Sequence, residues 1–195
     1  MKPSTESAPL QFHTVSDWSD EFWERIRPVY EASFPEHIRK PERIVRNMLS
    51  RMDAFLHEGM LDGVPCAMAL SGLSADRRLL VVDYLGVAPA FRRRGAGRQM
   101  VMALADWARE TPGAEGLLIE SEADDSEEGL GRERFWTGCG FESTDYVHSY
   151  IWVPEKYRAM LLPLGGPGEQ RSDLPRSGEK LFEYIEMFHK ASFAR

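Results

Sequence analysis

LLVVDYLGVAPAFRRRGAGRQMVMALADWARE, residues 79–110, is the stretch from which the fold can be read. Leu79–Val87 is rich in β-branched and large apolar residues and predicts a mostly buried strand. Pro89 interrupts regular structure, and Arg92, Arg93 and Arg94 run into Gly95-Ala96-Gly97. Met100, Ala103, Leu104, Trp107 and Ala108 then recur at spacings of three and four, one face of a helix. A strand that hands a basic, glycine-containing turn to a helix N-terminus builds a cup for an anion. The first N–H groups of the helix have no helical acceptor, and the helix dipole is positive there. Glycine admits a phosphate close to the backbone.

Outward from that unit, Pro112-Gly113 stops the helix, and Gly116 to Ser121 (GLLIES) reads as another buried strand. The acidic ADDSEEG segment opens a helix running through Arg134 to Thr137, its carboxylates suiting the positive helix start. Glu128 and Arg132 within it have the spacing of an i,i+4 ion pair, and Gly138-Cys139-Gly140 ends it. Residues 141–153 and 157–164 read as closing strands, 165–178 as a loop, and 179–193 as a last helix. Leu181, Ile185, Phe188 and Ser192 share one side of that helix. Upstream, 54–58 and 64–73 read as strands joined through Asp62-Gly63. Residues 10–15 form a candidate first strand, and Ser16 or Ser19 caps a helix from about Asp20. Phe22, Ile26, Val29, Tyr30 and Phe34 give that helix an apolar stripe, with a kink or break expected at Pro28. Pro41 fits the first position of a second helix reaching Met52. The pattern is α+β: a mixed, largely antiparallel sheet with helices on both faces.

A chain of 195 residues supplies one well-filled core. Hydrophobic residues at 43% and charged residues at 28% are those of a soluble globular protein. No apolar run approaches the ~20 residues of a membrane span. MKPSTESAPLQF lacks the apolar core of an export signal, so a cytoplasmic location is expected. Cys66 and Cys139 have no paired spacing, and the five histidines show no i,i+4 pair, so no disulfide framework or metal site is expected. A net charge of −7 argues against nucleic acid as a partner. The arginine triplet is a local positive island on that acidic background. It suits an anionic cofactor there and leans towards a cationic substrate elsewhere. No GxxxxGK[ST] occurs, and RRRGAG fails the GxGxxG pattern.

Arg92-x-x-Gly95-x-Gly97 resembles the (Gln/Arg)-x-x-Gly-x-(Gly/Ala) loop of the GCN5-related N-acetyltransferases, the GNAT family. Leu85-Gly86-Val87 resembles the strand end that precedes that loop, and Phe135-Trp136-x-x-x-Gly140-Phe141 resembles a later element of the family. In element order the resemblance covers residues 10–164, leaving a flexible tail at 1–9 and a loop with an added C-terminal helix at 165–195. It implies direct transfer of an acetyl group from acetyl-coenzyme A (acetyl-CoA) to an amine. The strand carrying Leu85, Gly86 and Val87 would splay from its neighbour and pair with the pantetheine arm. Arg92, Arg93, Arg94, Gly95, Ala96, Gly97 and Arg98 would hold the pyrophosphate, and Phe135 and Trp136 would line the gap or the core. A backbone N–H near Gly86 or Val87 would polarise the thioester carbonyl.

The reaction needs a base, and three carboxylates qualify. Asp83 shares a strand face with Leu79, Val81, Leu85 and Val87, where burial would raise its pKa. Glu120 and Glu122 share a face with Leu118, near the C-terminal end of their strand. A water chain to a more distant carboxylate is the other route. Many family members carry tyrosine where Trp136 stands, and indole is a donor but no acid. An alkyl thiol ionises near ~8.5, so its thiolate leaves without a strong acid; Tyr84, Tyr146 or Tyr150 could serve instead. The resemblance implies that the turn between the first two helices overhangs the site, so His37, near Glu36 and Arg39, could touch substrate. The reading is an N-acetyltransferase for a small-molecule amine or a peptide N-terminus. Its alternative is a catalytically weak acyl-CoA sensor or partner-binding module. The C-terminal helix could cover a sheet edge, form a homodimer contact or lie over the pocket.

Overall fold

The structure, a computed structural model, describes residues 9–151, 153–165 and 173–194. The expected tail at 1–9, except Pro9, and part of the expected loop at 165–178 lie outside the described residues. In chain order the elements are β1 (Gln11–Val15), α1 (Asp20–Ser33), α2 (Glu42–Arg51), β2 (Ala54–Leu61), β3 (Val64–Leu73) and β4 (Leu79–Val87). There follow α3 (Ala96–Arg109), β5 (Gly116–Glu122), α4 (Glu127–Gly138), β6 (Glu142–Ser143), β7 (His148–Ser149), β8 (Lys156–Pro163) and α5 (Gly178–Ser192).

The strands form one sheet in the order β1-β2-β3-β4-β5-β8-β6, with β7 paired to β8. Only β4 and β5 run parallel among the described pairings. This is the mixed, largely antiparallel sheet that the sequence pattern predicts. α1, α2 and α5 cover one face, over Ile26, Met48, Leu56, Leu70, Leu118 and Phe182. α3 and the end of α4 cover the other, over Leu80, Met100, Leu104, Leu117 and Phe141.

Local chemistry explains the boundaries. The Ser19 hydroxyl accepts the Phe22 N–H at 3.2 Å and starts α1. α1 runs through Pro28 as one helix rather than two. Pro28 is exposed, so water can serve the carbonyl that loses its helical donor. Asp62 and Gly63 both have positive φ, 51° and 75°, as a two-residue hairpin turn requires. The closing strand expected over 141–153 shrinks to the short β6 and β7. Between them Tyr146 packs against the start of α5, where a Cβ added to Gly178 would stand 2.5 Å from the Tyr146 Cβ.

α5 is part of the main core. Leu181, Phe182, Ile185 and Phe188 are buried in the same cluster as α1 and α2, and Ser192 is buried beside them. No helix among the described residues is long and apolar enough to cross a membrane.

Candidate active site

β4 and β5 pair at Leu79–Gly116, Leu80–Leu117 and Val81–Leu118, and there the pairing stops. β5 continues against β8 as far as Glu122–Tyr157, while β4 continues against β3 as far as Val87–Ala67. The two strands part into a V, and residues 82–87 of β4 present a strand edge to it. That edge offers backbone N–H and C=O groups to an extended ligand.

The same strand carries a bulge. Tyr84 faces Leu70 and Val82 faces Ser71, which leaves Asp83 as the extra residue. The bulge reverses the strand's alternation. Leu79, Val81 and Tyr84 pack on the α1/α2/α5 face, whereas Leu85 and Val87 pack on the α3 face. Asp83 therefore does not share a face with Leu85 and Val87, contrary to the expectation from simple alternation. Gly86 turns towards α1, where an added Cβ would meet the Ser33 Oγ at 2.6 Å.

On the α3 face, the cup has the expected form. Gly95 caps α3 with φ at 84°, no side chain caps the helix, and a Cβ at Gly95 would stand in open space. The first helical N–H bond is Gln99 to Gly95, so the N–H groups of Ala96, Gly97 and Arg98 have no helical acceptor. The Ala96 side chain is buried, leaving only its backbone for a ligand. Arg92, Arg93 and Arg94 are exposed, yet two of them also order the loop. Arg92 Nε donates to the Val87 carbonyl at 2.9 Å, and Arg94 donates to the Ala90 carbonyl at 3.5 Å. Arg98 reaches across to the Gly138 carbonyl at the end of α4. Phe135 lies against this rim, with a Gly97 Cβ position 3.3 Å from its ring and 3.4 Å from the Val87 side chain. Trp136 sits edge-on between Phe135 and Phe141, at 5.1 Å from each ring centroid.

On the opposite face, Asp83 and Glu120 stand two residues beyond the last paired residues, Val81 and Leu118. They are the facing pair at the opening of the V. Lys40 Nζ reaches both oxygens of Asp83, at 2.8 and 2.7 Å. His189 Nε2, from α5, lies 3.5 Å from Asp83 Oδ1 and 3.3 Å from Glu120 Oε1. The Tyr150 hydroxyl donates to Glu120 Oε2 at 2.7 Å. Two like charges so close must be pushed apart in proton affinity. Burial alone would raise the Asp83 carboxyl, but the Lys40 ammonium and His189 outweigh it and hold it below its usual range. Burial pushes the Glu120 carboxyl up, against His189, the Tyr150 hydroxyl and Lys40.

The three carboxylates singled out in the sequence therefore diverge. The raised pKa expected of Asp83 is reversed, and a carboxylate locked to a buried lysine is no base. Glu122 is held by Arg132 of α4 at 2.9 Å. Arg132 also takes Asp124 at 2.8 Å, in place of the i,i+4 pair expected with Glu128. Glu120 keeps the raised proton affinity of a base. Among the tyrosines, Tyr84 donates to the Ile38 carbonyl and accepts the Lys40 N–H, a packing role. Tyr146 meets His148 Nδ1 at 3.3 Å. Tyr150 is pushed up by burial and by Glu120, and Tyr157 rises to about 12 through burial and the same carboxylate. Both stay protonated donors. His37 is exposed on the turn over Glu36–Ile38, and the residue of that turn region which enters the site is Lys40. Sequence reasoning missed Lys40 and His189. His189 had only the signal of a polar residue beside an apolar stripe, and Lys40, in the turn before α2, had none.

The model of the acetyltransferase (GNAT) family matches residues 15–141, more than half of the chain. The chain belongs to the GNAT acetyltransferase family. Solved structures share the GNAT fold. A GNAT-family protein of Bacteroides thetaiotaomicron aligns at 18% identity and TM-score 0.68, over 92% of this chain and 94% of that one. NAA60 of Arabidopsis thaliana, in complex with acetyl-CoA, aligns at 14% and 0.63 over 80% of this chain and 99% of that one. The Escherichia coli ribosomal-protein-S18-alanine N-acetyltransferase aligns at 19% and 0.57, over 85% of this chain and 100% of its own. No curated protein matches at the level of sequence. In GNAT terms, the matched segment contains the V, the cup and Glu120, and ends before Tyr150 and α5.

Proposed function

We propose that this GNAT protein is an acetyl-CoA-dependent N-acetyltransferase that passes an acetyl group directly to a primary amine, with Glu120 as the proton acceptor. The observation that carries this reading is the V itself, open beyond Val81–Leu118 between an uncapped helix end and a carboxylate of raised proton affinity. The residues present fit acetyl-CoA. The N–H groups of Ala96, Gly97 and Arg98, with Arg93 and Arg94, would hold the pyrophosphate, and residues 85–87 offer a strand edge to the pantetheine. The solved NAA60 complex with acetyl-CoA, on the same fold, supports that assignment.

Acetyl-CoA supplies the acetyl group as a thioester: the amine nitrogen bonds the acetyl carbon as the C–S bond breaks, its electron pair leaving on sulfur. Glu120 takes one proton from the acceptor ammonium beforehand and yields it to water afterwards; the second nitrogen proton ends on sulfur. Tyr150 orients Glu120, and Asp83, neutralised by Lys40, leaves one free negative charge at the opening. That favours a cationic acceptor, a small-molecule amine or a peptide N-terminus.

Release of free thiol, followed with polyamines, amino acids, aminoglycosides and short peptides as acceptors, tests the reading. Glu120→Gln is expected to lower kcat by about 10²–10⁴ while leaving coenzyme A affinity unchanged. It is also expected to raise Tm. Folding lifts the proton affinity of this carboxylate, so ionisation at neutral pH costs stability that the amide does not. Full turnover by Glu120→Gln across the pH range would place the base elsewhere.

A further inference from the structure

We propose that His189, delivered by the C-terminal helix from outside the family-matched segment, is a positioning residue that holds the Glu120 carboxylate at the V for the acceptor ammonium. The inference rests on the acetyltransferase reading and concerns the same site.

Three observations converge on it. Asp83 and Glu120 face each other two residues beyond the last pair of the parallel strands, where two carboxylates would otherwise repel. His189 Nε2 is placed between them, within 3.5 Å of one and 3.3 Å of the other. The remaining oxygens are served by Lys40 on one side and Tyr150 on the other. The result is a continuous line, Lys40–Asp83–His189–Glu120–Tyr150, in which His189 Nε2 stands between the two carboxylates.

Exposure splits that line in two. The Lys40 and Asp83 side chains are 6% and 4% exposed, whereas His189 and Glu120 are 28% and 22% exposed. An acceptor reaches the second pair, not the first. The buried half is thus an anchor and the open half a working end.

Finally, α5 is fixed so that His189 cannot wander. Ile185 and Phe182 are buried one and two turns before it, and Phe188, the residue just before it, is buried as well. Phe182 stacks on the His148 ring at 4.3 Å, and Glu186 approaches His148 Nε2 at 3.3 Å. The helix therefore also steadies the arm that carries Tyr150. The groups that act on Glu120 are His189 and, one turn earlier in α5, Glu186 through Tyr150; Asp83 of β4; Lys40; Tyr150; and Tyr157 of β8.

The test uses the whole protein with His189→Phe, which keeps a ring and removes the donor, and His189→Gln, which keeps a donor and removes the ring. Two readouts are taken. One is the ¹³C-carboxyl NMR titration of Glu120, assigned by its loss in Glu120→Gln. The other is the pH profile of kcat/KM with the fastest amine of the panel above. In His189→Phe the Glu120 midpoint and the acid limb are expected to move up together by about one unit, an about tenfold loss of kcat/KM below the limb. His189→Gln is expected to recover part of that loss, with coenzyme A affinity unchanged in both. An unmoved Glu120 midpoint overturns the proposal, as does an activity lost equally at every pH. Absence of turnover by the unaltered protein overturns the acetyltransferase reading, and this role with it. Because the NMR titration needs no turnover, the two failures are told apart.

Discussion

Asp83 and Lys40 show what a buried ion pair does at residue scale. Each is almost fully buried, and each is worth keeping charged only because the other is there. Asp83→Asn leaves the Lys40 ammonium without its counter-charge, and we expect it to destabilise the protein by about 3–5 kcal/mol in urea unfolding at pH 7. Cofactor affinity should survive in the folded fraction. The pH dependence follows from the signs. The Asp83 carboxyl is held below its ordinary value of 3.8, so its contribution is present above that pH and lost as pH falls further. His57, enclosed with Thr14 Oγ1 at 2.8 Å and Ser71 Oγ at 2.7 Å, is pushed by burial from 6.5 to about 3. The unfolded chain binds its proton first, so stability due to His57 is complete above about 6.5 and declines down to about 3. Urea unfolding between pH 7 and 3 should show the His57 decline first and the Asp83 loss only at the acid end.

At the scale of the element, the strand, cup and helix of residues 79–110 stand where the sequence puts them. Their signals are local: an apolar run, a glycine forced to positive φ, and a stripe of period 3.6. Gly95→Glu is expected to abolish coenzyme A binding in calorimetry, with Tm reduced only modestly. The new side chain would adopt a strained φ and place a negative charge over the helix end, where the space is open and the dipole positive. Unchanged affinity would remove the cup from the site. The bulge at Asp83 was not legible in the same stretch. It is set by how Leu70 and Ser71 of β3 meet β4, and nothing in LVVDYL marks it. A single extra residue reverses every later side chain, so simple alternation placed Asp83 beside Leu85 and Val87. The α4 arginine illustrates the same limit. Its spacing to Glu128 is right for a helical pair, but Glu122 and Asp124 at the end of β5 are nearer once the chain is folded.

At the scale of the whole molecule, the question is whether α5 is an appendage or a wall of the core. Its sequence showed the apolar stripe but not its destination, because nothing local says which sheet face a terminal helix will seek. The packing answers it: Leu181, Phe182, Ile185 and Phe188 are at most 3% exposed and lie among residues of α1, α2, β5 and β8. At about 1.5–3 kcal/mol for each large apolar side chain buried, their sum rivals the whole stability of a domain of this size. A chain ending at Gly165 should therefore fail to give a cooperative unfolding transition, rather than fold as a shorter enzyme. Phe182→Ala is the milder probe. It should cost about 3–5 kcal/mol in urea unfolding and should also release the His148 ring and, with it, the arm bearing Tyr150. Activity per folded molecule should fall with the release of that arm, while coenzyme A affinity, which the proposed reading assigns to the start of α3 on the other face, should hold. If affinity falls in step with activity, the two faces of the sheet are not separable and α5 supports the cup as well as the carboxylate.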